Sequence, residues 1–187
     1  MQSNTLKPSF YFDPIMKKAE QTINAGVRAI IEKIVVDVGV GRLSAQPQFE
    51  EKVLPQLMKD VALITGQKPE IRRARKSIAG FKVREGQIVG LRVTLRRARM
   101  IDFFRKFISI VLPRVRDFHG INPHAIDEKG VLNVGVREHV VFPDINPEAS
   151  PVSFALGMNI VQRKRVREHA EAMYRELGVP FMKAAKK

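Results

Sequence analysis

The sequence contains no cysteine. Disulfide scaffolds, thiol catalysis and cysteine-based zinc sites are therefore excluded. No uninterrupted apolar run approaches the roughly 20 residues a membrane helix requires. The first residues, Met1–Lys7, lack the apolar centre of a signal peptide. Acidic residues are scarce relative to basic ones: 19 Asp plus Glu against 33 Lys plus Arg leave +14 on 187 residues. Internal repeats and low-complexity linkers are missing as well. One domain over 1–187 is expected, with an N-terminal helical segment (1–28) and a basic tail (182–187). What is present is 44% hydrophobic, enough to bury a core and too apolar for a disordered polycation. The expectation is a soluble, intracellular, globular protein without a membrane partner. Its positive field calls for a polyanion, nucleic acid first.

The positive charge is concentrated. Between Ile71 and Arg99 stand ten basic residues and one acid, Glu85, a net +9 across 29 residues. Eight of the ten are arginines, whose forked guanidinium matches phosphate better than a solubilising lysine would. A run of cations that neighbouring acids do not offset repels itself unless an anion is near. A second concentration spans Arg163–Arg167, and Lys183, Lys186 and Lys187 form a basic end.

Local patterns suggest the elements. Asp13-Pro14 reads as a helix start, with the helix running to about Asn24 and stopped by Gly26. Ile30–Val38 is rich in β-branched residues and reads as a strand ending in Gly39-Val40-Gly41. Phe49, Val53, Leu57, Val61 and Ile64 recur at helical spacing up to Gly66, with Pro55 as a misfit that should kink the helix. Ile71–Arg75 and Ile88–Arg97 read as strands around a basic loop, Lys76–Gln87. In the second strand Val89, Leu91, Val93 and Leu95 should face the core and Arg92, Thr94 and Arg96 the outside. A helix over Met100–Leu112 should stop at Pro113. Further strands are expected over Val131–Val136 and Val152–Val161, and a closing helix over Arg163–Leu177 before Gly178. Met16, Met58, Met158 and Met173 are expected to fill core gaps. Hairpin-like strands mixed with helices imply an α+β sandwich, with helices packed on an antiparallel sheet.

Catalytic and cofactor signals are weak. Gly39-Val40-Gly41 has Ser44 where a dinucleotide-binding fingerprint needs its third glycine. Gly66-Gln67-Lys68-Pro69 lacks the order of a phosphate loop. His119, His124, His139 and His169 are scattered, without one-turn pairing, so no metal site is expected. Asp127-Glu128 are adjacent loop carboxylates, which point apart more often than they converge. No Ser/His/Asp grouping can be singled out, and no cofactor is expected. The loop is the better functional candidate. Lys76-Ser77-Ile78-Ala79-Gly80-Phe81-Lys82 combines cations, a hydroxyl, small residues that let RNA approach the backbone, and one aromatic. Phe81 either stacks on an unpaired base or anchors the loop on the core. Gln67 and Thr94 add uncharged hydrogen-bonding groups beside the cations.

Several of these strings, in this order, closely resemble the universal 5S-rRNA-binding protein family of the large ribosomal subunit, the fifth large-subunit family, in its bacterial form. They are Ile64-Thr65-Gly66-Gln67-Lys68-Pro69, Ala74–Lys82, Arg84-Glu85-Gly86, Val93-Thr94-Leu95-Arg96, Arg99-Met100 and Leu112–Phe118. Val134–Glu138, Val141–Ile145, Leu156–Ile160 and Leu177–Phe181 continue the likeness, which covers about Ile30 to Phe181. The resemblance implies a non-catalytic constituent of the large subunit, cytoplasmic and ribosome-associated. It implies that Asp37, Gln67, Phe81 and Thr94 meet 5S rRNA in the central protuberance, with Lys68, Arg92 and Arg96 as cationic neighbours on phosphates. The loop with Arg73, Arg75, Lys76, Ser77, Gly80, Lys82 and Arg84 would reach the elbow of peptidyl-site tRNA. A surface around Arg114–Phe142 would approach a small-subunit head protein, and 23S rRNA and neighbouring large-subunit proteins complete the implied partners. The family usually has Asn at position 37 and Arg at 119, and a more Gly-rich turn at Asp127-Glu128-Lys129. An RNA-processing enzyme and a free-standing RNA-binding regulator are the alternatives.

Overall fold

The computed structural model describes residues 24–45, 47–164 and 166–182. Five strands form one antiparallel sheet in the order β2-β3-β1-β5-β4. The central strand β1, Ile31–Gly39, buries Ile34, Val36 and Val38 on one face and leaves Lys33, Val35 and Asp37 half-exposed on the other. Its neighbours are β3, Ile88–Leu95, and β5, Leu156–Gln162. The edges are β2, Glu70–Arg73, and β4, Leu132–Val136. Strict alternation along β5, with Leu156, Met158, Ile160 and Gln162 buried, repeats the two-faced pattern.

Helices cover the apolar face. Helix α2, Leu54–Thr65, contributes Leu57, Val61 and Ile64, while α3, Arg97–Lys106, contributes Met100, Ile101, Phe103 and Phe104 to the same core. A helical segment over 24–30 (α1) leads straight into β1, and α5, Ala170–Glu176, closes the fold with Tyr174 fully buried. The Tyr174 hydroxyl lies 2.8 Å from the Ile160 carbonyl oxygen and 3.0 Å from that of Gly130. Burial holds its pKa far above the ordinary phenol value, so it acts as a donor. The expected α+β fold, helices on an antiparallel sheet, is the one observed.

Several local expectations are corrected. Residues 13–23 of the first predicted helix lie outside the described residues. Helical backbone continues past Gly26 to residue 30, and Gly26 does not adopt the left-handed conformation of a helix stop. Pro55 does not kink the middle of a helix. A wide π-helical stretch, Phe49–Val53, precedes it and Pro55 falls in the first turn of α2, where a missing N–H costs little. Pro113 behaves the same way: the π-helical stretch Phe107–Val111 comes first, and the chain stays helical through α4, Leu112–Arg114. In β3 the buried residue is Ile88, not Val89, since a register shift between Arg72 and Arg73 makes Val89 the extra residue.

The helix expected over Arg163–Leu177 shrinks to α5. Arg163 donates its backbone N–H to the Ile30 carbonyl oxygen and its Nε to that of Arg28, both at 2.9 Å, holding the chain across the sheet end. The closely spaced cations Arg163, Lys164 and Arg167 would also crowd one helical surface. Residues 152–155 do not join β5 either; the Phe154 carbonyl oxygen instead accepts the His139 N–H. Met58 and Met158 contribute to the core as expected, whereas Met173 lies outside it and Met16 falls outside the described residues.

Candidate nucleic-acid interface

The face of the sheet away from the helices is polar, and the strand register arranges it in two rows. One row runs Glu70, Arg92, Asp37, Gly157, Gly135; the other runs Thr94, Val35, Asn159, Asn133. Gly157 and Gly135 carry no side chains, so the first row falls away to a flat floor beside Asp37. Asp37 is the hub. Its Oδ1 accepts from Arg92 Nε at 2.6 Å and its Oδ2 from Asn159 Nδ2 at 3.0 Å. The carboxylate at position 37 is thus paired on both oxygens, which offsets the repulsion it would otherwise exert on phosphate. The pair is half-exposed and contributes at most about 1 kcal/mol to folding. Its effect is to fix where Arg92 stands.

Gln67 extends this face. Gly66, at φ 68°, ends α2 in the left-handed region, where glycine is favoured, and turns the chain so that Gln67 Nε2 lies 3.5 Å from the Thr94 carbonyl oxygen. Arg99 Nη1 donates to Gln67 Oε1 at 3.3 Å. Gln67, Thr94 and Arg99 therefore form one group, and Asp37, Arg92 and Asn159 the adjoining one. Lys68 is exposed beside them, and Arg96 at the strand end lies 3.6 Å from Glu32.

Phe81 is not part of either group. The loop after β2 folds as a hairpin of its own: Ile78 and Val83 exchange backbone hydrogen bonds at 2.9 and 3.2 Å around a single 3-10 turn, Ala79–Phe81. Phe81 stands at the tip, 78% exposed, with Ile78 half-exposed beside it. Of the two roles open to Phe81, anchoring on the core is excluded by this exposure. Ser77 Oγ accepts the Glu85 N–H at 2.9 Å, and Arg73 Nη1 donates to the Gly86 carbonyl oxygen at 2.9 Å. Gln87 braces the base, its Nε2 donating to Ser44 Oγ at 2.8 Å while its Oε1 accepts the Arg84 N–H at 3.0 Å. Arg75, Lys76, Lys82 and Arg84 project from this frame, with Gly80 open at the tip.

The fold changes the charge count read from the chain. Arg72, Arg92 and Arg96 meet Glu70, Asp37 and Glu32, carboxylates that lie outside the Ile71–Arg99 window. For the other seven cations no ion pair is found among the described residues. Sequence reasoning missed Asn159, Arg99 and Gln87. The alternation of β5 could have found Asn159, while Arg99 and Gln87 become functional neighbours only through the turn at Gly66 and the hairpin base.

A Ser/His/Asp grouping does exist, although none could be singled out in the sequence. Ser150 Oγ donates to Asp60 Oδ2 at 2.6 Å and lies 2.9 Å from His139 Nε2, and Gln56 Nε2 donates to Asp60 Oδ1 at 2.9 Å. Serine sits between the other two, gives its proton to the aspartate, and all three are buried. Histidine cannot act as base towards that hydroxyl, so the chain of bonds is internal structure. Among the described residues no three His, Asp or Glu side chains are placed to hold a metal ion.

Two family models match, one for each part of the same ribosomal family. "Ribosomal protein L5" covers residues 28–84, and the model of that family's C-terminus covers residues 88–181. Relatives named "Large ribosomal subunit protein uL5" include that of Rubrobacter xylanophilus, 50% identical over 151 residues, 81% of this chain and 82% of the relative. That of Anaeromyxobacter sp. is 46% identical over 151 residues, 81% and 82% of the two chains. The protein of Chlorobium phaeobacteroides is 38% identical over 178 residues, 94% and 89%.

Proposed function

This chain belongs to the ribosomal L5 family, and from that premise we propose that its open sheet face binds 5S rRNA in the central protuberance of the large subunit. As a family member it is a structural constituent of the large ribosomal subunit, non-enzymatic and found with bacterial ribosomes in the cytoplasm. The observation that carries the 5S reading is the pair of polar groups, Asp37–Arg92–Asn159 and Gln67–Thr94–Arg99, set side by side on a half-exposed surface. Cations there neutralise phosphates, and the amides and hydroxyl are suited to sugar and base edges. Lys68 and Arg96 extend the cationic border, and 23S rRNA and neighbouring subunit proteins adjoin the same structure.

The basic hairpin serves a different contact. Its exposed Phe81 and Ile78 tip, ringed by Arg75, Lys76, Lys82 and Arg84, suits stacking against the tRNA elbow in the peptidyl site. Arg73 and Ser77 shape the hairpin that presents them. A third surface includes an open cavity of about 500 Å³ between Val115–Asp117 and Gly135–Val141. Arg116, Asp117, Arg137 and Glu138 give it both charge signs, which suits the polar rim of an interface with a small-subunit head protein.

Binding of purified protein to 5S rRNA, against an unrelated RNA of equal length over a series of salt concentrations, tests the central reading. A clear preference for 5S rRNA is expected. Gln67→Ala and Thr94→Ala should each weaken it about five- to tenfold at constant salt without changing the salt slope. Equal affinity for both RNAs would end the proposal.

A further inference from the structure

Where β1 begins and β3 and β5 end, four arginines line one open cavity of about 490 Å³. Arg28 comes from α1, Arg96 from the end of β3, Arg97 from the first position of α3 and Arg163 from the residue after β5. Met100 and Glu32 complete the lining. Two hydrogen bonds to the backbone at Ile30 and Arg28 hold Arg163 in place, and Arg96 lies 3.6 Å from Glu32. Among the described residues Arg28, Arg97 and Arg163 have no ion pair. The cavity wall thus carries an excess of three positive charges.

Arg97 is held at φ 55°, in the left-handed region that L side chains rarely adopt. Glycine would occupy this position without strain. The strained residue is one of the four arginines, which ties an unfavourable backbone conformation to a charged recess. Guanidinium forks from several directions match the two free oxygens of a phosphodiester. The recess continues the polar face, since Arg96, still in extended backbone just past β3, is two residues beyond Thr94.

We propose that Arg28, Arg96, Arg97 and Arg163 form a backbone-phosphate site for the RNA that lies on the sheet face. It grips that RNA where it leaves the sheet end. The site rests on the reading of the open face as an RNA-binding surface and adds Arg28, Arg97 and Arg163 to it. It reads charge and spacing, not base identity.

The test uses the full chain and 5S rRNA, with equilibrium binding measured over a KCl series and thermal unfolding measured in parallel. Arg97→Gly removes one cation and the strain together. Its melting temperature should rise, while its affinity falls about three- to tenfold and its log–log salt slope becomes shallower by about 0.7–0.9. Arg163→Gln should lower affinity and slope in the same way, and Glu32→Gln should tighten binding. Wild-type affinity and slope in both arginine variants, with the wild type still preferring 5S rRNA, would overturn the site and leave the wider reading intact. Weaker binding with an unchanged slope would overturn it too. A wild type that does not prefer 5S rRNA would instead remove the premise.

Discussion

Ser150 can give its single proton to only one partner, and the 2.6 Å contact assigns it to Asp60. His139 Nε2 must then donate to Ser150, leaving Nδ1 as a lone pair with no hydrogen-bond partner among the described residues. The imidazole is fully buried and stacked on Phe154 at 4.1 Å between ring centres. Burial lowers its pKa from the ordinary 6.5, with the Asp60 carboxylate opposing in part. The unfolded chain therefore takes up a proton at this residue before the folded one does. Stability from this histidine is complete above about pH 7 and is lost as the pH falls below 6.5, by up to about 1.4 kcal/mol per pH unit. Urea unfolding at pH 7.5 and at pH 5.5 should show the loss, and His139→Gln should reduce it; identical pH dependence in the two proteins would refute the assignment. Ser150→Ala, which strands both neighbours, should cost about 2 kcal/mol at neutral pH. None of this was readable from the chain, because positions 60, 139 and 150 share no spacing that marks them as partners.

At the scale of elements, the two prolines show what periodicity reads and what it cannot. Apolar spacing located the helix through Phe49–Ile64 and the Phe-rich helix after Met100, yet it treated Pro55 as a misfit and Pro113 as the helix stop. In the fold each follows a five-residue π-helical stretch by two positions, so the widened turn absorbs the lost donor. Hydrogen-bond registers of that kind leave no mark in a hydrophobic pattern. The shortened α5 has another cause. Arg163 and Lys164 read as the start of a helix, and the bonds from Arg163 to residues 28 and 30 hold them off it. Glycines offer a sharper test. Gly130 has φ 71°, and a Cβ there would overlap Gln162 Nε2 and lie 2.9 Å from the Val166 carbonyl oxygen. That atom of Gln162 donates to Val166 at 2.7 Å, so the methyl group would break the link between β5 and the segment before α5. Gly130→Ala should destabilise by about 3 kcal/mol in chemical denaturation. Gly86→Ala, also at positive φ but in open space, should cost only about 1 kcal/mol. Equal costs would show that local conformation alone, not packing, makes Gly130 necessary.

Over the whole molecule, charge is divided by task. On the sheet the cations are paired and positioned, whereas on the hairpin Arg75, Lys76, Lys82 and Arg84 face solvent. Composition located this window correctly and overstated how much of it stands unopposed, because Asp37 and Glu32 reach it only through the pairing of β1 with β3, and Glu70 stands one residue before it. Replacing Arg75, Lys76 and Arg84 together with Gln should leave the melting temperature within about 2 °C of wild type. Affinity for 5S rRNA should change less than twofold while retention of peptidyl-site tRNA on ribosomes falls. A large loss of 5S binding would instead merge the hairpin with the sheet face. Arg73 is left out of that variant because its bond to Gly86 helps to shape the hairpin. The order of the strands carries a final consequence for how the protein is made. The central strand finds its two neighbours at residues 88–95 and 156–162, so it cannot be flanked on both sides until nearly all of the chain has been synthesised. Asp37 meets Arg92 from the first of these and Asn159 from the second. A truncated or nascent chain ending before residue 156 lacks half of that clamp. The proposed recognition surface thus comes into being late, and only chains that extend past β5 can present it for assembly.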